Sequence, residues 1–379
     1  MPDLTTPIRP LAAMVLTLAI GGWQAQQMRA AAAARAAGTL AAAAPMAQGR
    51  AAHTATSLGN GRVLVAGGFT GQEDTLAGAE LYDSWSRRFT PAARMATPRQ
   101  SHTATTLADG KVLLAGGYDA RGTSLASAEI FDPSAGTFAA TGTMRSARAG
   151  QVAVRLADGR VLLAGGVGPG WTFLASAELY DPSTGTFTAT GAMGVPRESH
   201  AAARLADGRV LVAGGHRGRR TDVELYTSQE IYDPSVGGFA PAGDMTVRRH
   251  KHDAILLADG RVLISGGTDE RDFAGRYASA EIFDPRTGRA RRIADMRVPR
   301  YKHQGTSVRL PDGRVLLAGG ADRAEIFDPG TESFQLVEGE ARMAGQFSAT
   351  APLANGGVVI TGGYGEHQGP QAAAWLYGP

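Results

Sequence analysis

The 379-residue chain contains no cysteine. Structural disulfides, thiol catalysis and cysteine-based zinc sites are therefore excluded. It also has little charge of one sign: 38 Lys+Arg stand against 35 Asp+Glu, a net charge of +3. Bulk charge of that size does not mark a nucleic-acid binder. The apolar run Leu11–Ile20 is too short to span a bilayer, which takes about 20 residues. Arg9 precedes it, Gly21-Gly22 breaks it, and Ala-rich sequence follows to Ala44. Residues 1–35 read as a signal peptide cleaved among Ala25–Ala34, although Asp3 offsets Arg9; the competing reading is a disordered Ala-rich leader. With no cysteine there is no lipoprotein anchor at the cleavage site. A secreted or periplasmic protein is expected, with no stable membrane insertion after cleavage.

What is present is a repeat. Ser101 to Met144 reads SHTATTLADGKVLLAGGYDARGTSLASAEIFDPSAGTFAATGTM. Ser101–Leu107 alternates small or apolar with polar residues, and Ala108-Asp109-Gly110 is a tight hairpin turn. Val112–Ala115 is a continuous apolar run, typical of a strand buried on both faces. Gly116-Gly117 ends it. Ala128–Asp132 supplies a third strand, Asp132 to Gly136 a second turn, and Phe138–Met144 a fourth strand. The Gly-Gly pair recurs at Gly67, Gly116, Gly165, Gly214, Gly266, Gly319 and Gly362. The third strand recurs six times as Glu-aliphatic-Tyr/Phe-Asp, and degenerates to Trp375-Leu376-Tyr377-Gly378 in the seventh copy. A four-stranded sheet of this size cannot bury both faces alone, so it must stack on copies of itself.

The Gly-Gly after an apolar strand, the Tyr/Phe-Asp-Pro strand end and the Met-x-x-x-Arg linker resemble the kelch repeat, from about Thr39 to the C-terminus. The resemblance implies an all-β, seven-bladed β-propeller of four-stranded antiparallel blades, one domain over residues 36–379. Kelch blades often carry Trp in the fourth strand. Here that position holds Phe89, Phe138, Phe187, Phe239 and Phe334, with Ala290 in the fifth copy. The seventh copy has only three strands after Ser348. Gly38 to Met46 matches fourth-strand text, so this N-terminal strand is expected to complete the last blade and close the ring. The copper oxidases resembling galactose oxidase use a Tyr–Cys cross-link, which a chain without cysteine cannot form; no cofactor and no metal are expected.

Strand alternation puts both tight turns of each copy on one face. The second-to-third-strand loops and the linkers share the other face, where binding is expected. Each linker of the first six copies carries an Arg, and each third strand a Glu: Arg50 and Glu80, Arg99 and Glu129, Arg148 and Glu178, Arg197 and Glu230, Arg249 and Glu281, Arg300 and Glu325. Copy seven lacks both partners. That joint loss points to a structural Arg–carboxylate pair in each blade, of a kind suited to bidentate contact, rather than to a cationic ring for a ligand. Three residues further on stand His53, His102, His200, His252 and His303, with Gln151 in the third copy. Stacked sheets lie about 10 Å apart, too far for equivalent histidines to share an ion bound at about 2 Å; blade packing or channel lining is expected of them.

No Ser-His-Asp order or Gly-x-Ser-x-Gly elbow stands out, and the catalytic set is unassigned. The candidate ligand-binding residues are Trp171, His216, Arg217, Arg219, Arg220, Arg248, His250, Arg276, Tyr277 and Tyr301. This basic, aromatic-dotted sector suits an acidic peptide or anionic glycan. A monomeric propeller binding a protein or glycan partner through its long-loop face is expected, with no nucleic-acid partner. A carbohydrate-active enzyme, an oxidase or isomerase with its site at the channel mouth, is the alternative.

Overall fold

The structure is a computed structural model and describes residues 37–71, 74–339, 342–343 and 345–379. The leader of residues 1–35 lies outside the described residues, as does residue 36. Among the described residues no helix is long and apolar enough to cross a membrane.

Seven antiparallel four-stranded sheets follow one another along the chain. Blade one is Thr54–Ser57, Arg62–Ala66, Ala79–Asp83 and Arg88–Pro91; blade two is Thr103–Thr106, Val112–Ala115, Ala128–Asp132 and Thr137–Ala140. Blade three is Val152–Arg155, Val161–Ala164, Ala177–Asp181 and Thr186–Thr190; blade four is Ala201–Arg204, Val210–Ala213, Ser228–Asp233 and Gly238–Asp244. Blade five is Asp253–Leu256, Val262–Ser265, Ala280–Asp284 and Arg289–Arg292; blade six is Ser307–Arg309, Val315–Leu317, Glu325–Asp328 and Ser333–Leu336. Blade seven is Ala349–Pro352, Val358–Thr361 and Ala374–Gly378, with Thr39–Ala42 as its fourth strand. Most first and fourth strands are shorter than the sequence pattern suggests; past the fourth strand of blade two, Gly142 N donates to the Gly185 carbonyl of the next blade while Met144 N donates to Ala126 of its own.

The second strands are buried throughout, as in Val112–Ala115 and Val161–Ala164. Their side chains point alternately into the two gaps between blades, so the core is divided into clusters that each span adjacent sheets. Leu64 and Ala66 of blade one pack with Val112, Leu114 and Phe131 of blade two, for example. Third- and fourth-strand rings pair at 4.8–4.9 Å between centroids in blades one to four and six. In blade five Phe283 faces Ala290 instead, yet Phe283 remains fully buried.

The Gly-Gly pair marks where blades meet. Gly165 has φ +69°, and a Cβ there would lie 2.6 Å from the Arg197 carbonyl oxygen and 2.6 Å from His200 Cε1 of the next blade. Only glycine fits both the left-handed backbone and that approach.

The six arginines are the largest fully buried side chains, each at 0–1% exposure. Each Nη2 donates to the Glu of its own blade, at 2.6–3.0 Å. The contact is not bidentate. In blade three Arg148 Nη2 donates to Glu178 Oε1 at 2.9 Å, while Nη1 donates to the Gly165 and Ser176 carbonyls at 2.8 and 3.0 Å. Glu178 in turn accepts the Arg145 and Ser146 N–H groups at 2.8 and 3.1 Å. The pair thus ties the linker to the sheet. Arg148→Ala should destabilise by about 3–5 kcal/mol, because a buried carboxylate loses its counter-charge. Glu178→Ala should do the same, and the double variant should cost less than the sum but more than either alone. The surplus reflects linker N–H groups and carbonyls that neither alanine satisfies. Urea titration of the four proteins reads this out, and strict additivity would show that the two side chains act independently.

Candidate binding site at the channel mouth

Each linker enters its blade through Arg-x-x-His, or a variant of it. The residue two after the Arg, or after Gly345 in the seventh copy, has a left-handed backbone: Ala52, Ser101, Gly150, Ser199, Lys251, Lys302 and Phe347, with φ from +50° to +63°. Six of these donate their N–H to the carbonyl of the same position in the preceding blade, at 2.8–3.2 Å: Ala52 to Phe347, Ser101 to Ala52, Gly150 to Ser101, Lys251 to Ser199, Lys302 to Lys251, and Phe347 to Lys302. This main-chain ring rims a cavity of about 350 Å³ on the linker face of the propeller. A larger cavity of about 520 Å³ lies at the opposite, tight-turn ends of blades five to seven. Its lining is mostly apolar side chains and turn glycines, with Arg309 as its charged group, whereas the linker-face mouth is lined by four histidines, Glu198, Lys251 and Lys302.

The ring histidines face neighbouring blades. His53 Nε2 meets Thr361 Oγ1 at 2.8 Å, His102 Nε2 meets Thr54 Oγ1 at 3.2 Å, and His303 Nε2 donates to the Ser265 carbonyl at 2.9 Å. Gln151 fills the same role, donating to the Ala115 carbonyl at 2.9 Å. Burial, with the adjacent Arg second, holds His102, His200 and His303 down to about 3. Burial also holds His53 and His252 well below the usual range. They are neutral imidazoles at any ordinary pH.

The mouth is uneven. Lys251 and Lys302 project from two adjacent ring positions and line the cavity. Lys251 Nζ pairs with Asp272 Oδ1 at 2.8 Å. Lys302 Nζ donates to Tyr364 Oη at 2.7 Å and lies 4.9–5.3 Å from the ring centroids of Tyr301, Phe347 and Tyr364. Next to Ser199, the ring neighbour of Lys251, stands Glu198, whose carboxyl is pushed up to about 7 by burial, against the pull of Lys251 and Arg219. Gly150 makes room for it: a Cβ there would lie 2.7 Å from Glu198 Oε1. Beside Glu198 lie His216 and His250. Burial, then Lys251, holds His216 down to about 4, and burial, then His216, holds His250 down to about 2.

The candidate residues read from sequence fall into three groups. His216 lines the cavity, while His250 and Tyr301 are buried at 5% and 2% exposure. Tyr301 is therefore not a surface aromatic; its hydroxyl donates to Gln346 Oε1 at 2.9 Å. The arginines are engaged with their own or neighbouring loops. Arg217 pairs with Glu224 at 2.6 Å and Arg248 with Glu270 at 3.2 Å. The guanidinium carbon of Arg219 lies 3.4 Å from the Trp171 ring centroid, and that of Arg276 lies 3.6 Å from the Phe273 centroid. Tyr277 is half-buried under Arg249, at 5.6 Å. The Arg220 side chain lies outside the described residues. The segment after Gly215 is not a plain loop: His216–Arg217 pairs with Glu224–Leu225 as a small hairpin. Its Arg219 stacks on Trp171, which stands 6.0 Å from Tyr118, so the basic sector builds a rim more than a free cationic surface.

Glu198, Lys251 and Lys302 are the residues that the sequence pattern did not single out. The signal was the repeat register itself: the two positions between Arg and His read Ala-Ala, Gln-Ser, Ala-Gly, Glu-Ser, His-Lys and Tyr-Lys. The second of these positions lines the mouth in each of the six copies, as does Glu198 from the first.

Residues 101–145 match the family profile described as the Kelch motif, and the other six sheets repeat that sheet and its turns. The chain is a seven-bladed β-propeller whose second blade carries the Kelch motif. A solved structure titled as a novel fungal alcohol oxidase of the AA5 family, in complex with copper, superposes at TM-score 0.69 with 18% identity, over 90% of this chain and 76% of that one. The structure titled YjhT superposes at TM-score 0.60 with 12% identity, over 78% of this chain and 99% of that one. At such identities these similarities describe the shared propeller. No curated protein matches the chain.

Proposed function

We propose that this kelch propeller is an exported, monomeric binding scaffold that takes an anionic glycan, or the acidic end of a peptide, at the linker-face mouth of its channel. The observation that carries the reading is the pair of ammonium groups, Lys251 and Lys302, side by side on the rim of a cavity of about 350 Å³. Asp272 is the carboxylate paired with Lys251; among the described residues no carboxylate pairs with Lys302. A carboxylate on the ligand would supply the missing negative charge, and the aromatic rings about Lys302 would give a sugar or side chain an apolar surface.

A glycan and peptide array probed with the full chain tests this. Acidic glycans or peptides should be retained and neutral ones washed off. Lys251→Gln with Lys302→Gln should weaken retention about tenfold or more and flatten its salt dependence. Arg217→Ser should change it little, since that guanidinium is already paired. Retention of neutral ligands alone, or unchanged binding by the double variant, would refute the reading.

One observation favours a second reading. A part-buried carboxyl raised to about 7 inside a polar cavity is the environment of a general acid or base. A carbohydrate-active enzyme at the same mouth would rest on Glu198.

A further inference from the structure

Glu198, His216 and His250 are held in line by main chain. Glu198 and His216 exchange both backbone hydrogen bonds at 3.0 Å, and His250 bridges Thr268 in the same way. Their side chains then make three consecutive contacts. Glu198 Oε2 lies 3.4 Å from His216 Nε2, His216 Nδ1 lies 3.1 Å from His250 Nδ1, and His250 Nε2 lies 3.4 Å from the Asp269 carbonyl oxygen. The last partner only accepts. His250 must therefore carry its proton on Nε2, which leaves its Nδ1 bare. His216 must then donate from Nδ1, which leaves its Nε2 bare and facing Glu198. The two imidazole contacts use the two protons of neutral rings, so a hydrogen bond between Glu198 and His216 needs a third.

We propose that Glu198, His216 and His250 form a proton-exchange site at the channel mouth, a chain of close polar contacts that holds one dissociable proton in contact with the cavity. The proton sits on Glu198 as a carboxylic acid, or on His216 as an imidazolium beside a Glu198 carboxylate. Either form is neutral overall. The emptied chain has charge −1 and leaves one pair of lone pairs face to face.

The surroundings set when it empties. Lys251 and Arg219 face Glu198, Lys251 and Asp272 face His216, and Lys251 and Lys302 face His250. Tyr118 approaches Glu198, and His200 and His252 approach the imidazoles from the blade interior. The cations favour the emptied, negative form, whereas burial favours the filled, neutral one. The balance puts release near neutral pH, as a property of the coupled group rather than of one residue. Glu198 and His216 line the cavity, so its occupant exchanges this proton directly. On the anionic-ligand reading above, an incoming carboxylate disfavours the −1 form, and binding above neutral pH takes up a proton.

The test uses the full chain with 15N-labelled histidine, titrated from pH 5.5 to 8.5. His216 and His250 should show one shared inflection near neutrality, with His250 protonated on Nε2 throughout and His216 on Nδ1 on the acid side. In Glu198→Gln the amide supplies the third donor permanently, and the inflection should vanish. In His250→Gln, the second variant, the His216 inflection should shift. Rings that do not titrate, or an inflection unchanged in both variants, would overturn the proposal. Calorimetry with D-glucuronate at pH 7.5, in two buffers of different ionisation enthalpy, separates the two readings. Uptake of roughly half a proton per site is expected, and none in Glu198→Gln. An inflection without glucuronate binding supports the proton site and counts against the anionic ligand.

Discussion

Lowering the pH from 6 to 5 should strip this propeller of several kcal/mol of stability. Seven histidines have values held below the ordinary one by burial: His53, His102, His200, His216, His250, His252 and His303. The unfolded chain protonates them near 6.5, whereas folded His102, His200 and His303 resist until about 3. Between those values the unfolded state binds more protons, so the stability from neutral packing is complete above 6.5 and is lost as pH falls toward 3. Glu198 and Asp253 act in the opposite sense, because burial raises them and the folded state then holds the extra proton. A net excess of roughly three to five protons on the unfolded chain gives a slope of about 4–7 kcal/mol per pH unit. Urea midpoints at pH 7, 6 and 5 measure it. The third copy supplies a control, because Gln151 occupies the histidine position and bonds the preceding blade with an amide. His102→Gln with His303→Gln should keep neutral-pH stability within about 1–2 kcal/mol and remove about two protons from the slope. A stability independent of pH over this range would mean that the imidazoles reach water in the folded state.

Removing residues 38–46 should open the ring. Thr39–Ala42 pairs in register with Trp375–Gly378, and the following linker continues the seam, with Ala43 N donating to the Ala374 carbonyl and Met46 N to Ala372. On its other side, Leu40 N donates to the Glu338 carbonyl and Glu338 N to Gly38. The segment also fills two core clusters. Leu40 packs among blade-six and blade-seven residues, and Met46 between blades seven and one. Losing two buried side chains of this size costs about 3–6 kcal/mol from the transfer of apolar surface alone. The third strand of blade seven would then present an unpaired edge, a template for association. A chain beginning at Arg50 should melt far below one beginning at Ala37 and should sediment as oligomers. Equal melting temperatures would mean that the ring is held by its blade-to-blade contacts without this clasp. Leu40→Asp separates the causes, because it keeps the strand's backbone while placing a charge in the cluster.

The text of the repeat determined the fold. Seven Gly-Gly pairs, the apolar second strands and the Asp-Gly turns allow little except stacked four-stranded blades. The match of Gly38–Met46 to fourth-strand text located the closing strand as well. The Arg–Glu partnership was legible for a similar reason: copy seven lost both residues together, so covariation inside one chain stood in for an alignment. Its geometry was not legible. Whether a guanidinium meets a carboxylate with two nitrogens or one depends on where nearby carbonyls lie, and here the Gly-Gly backbone takes the second nitrogen.

The mouth was decided mostly by tertiary structure, although His216 and His250 were already candidates. Sequence counted Arg217, Arg219 and Arg276 as free cations, because their partners Glu224, Trp171 and Phe273 come from loop conformations that no repeat pattern encodes. Glu198, His216 and His250 come from two linkers and a second-to-third-strand loop. Their side chains converge only because the blades rotate about a common axis and bring positions far apart in the chain to one rim. A repeat specifies what each blade must share. The residues that differ between copies are free to carry function, and only closure of the ring sets which of them meet.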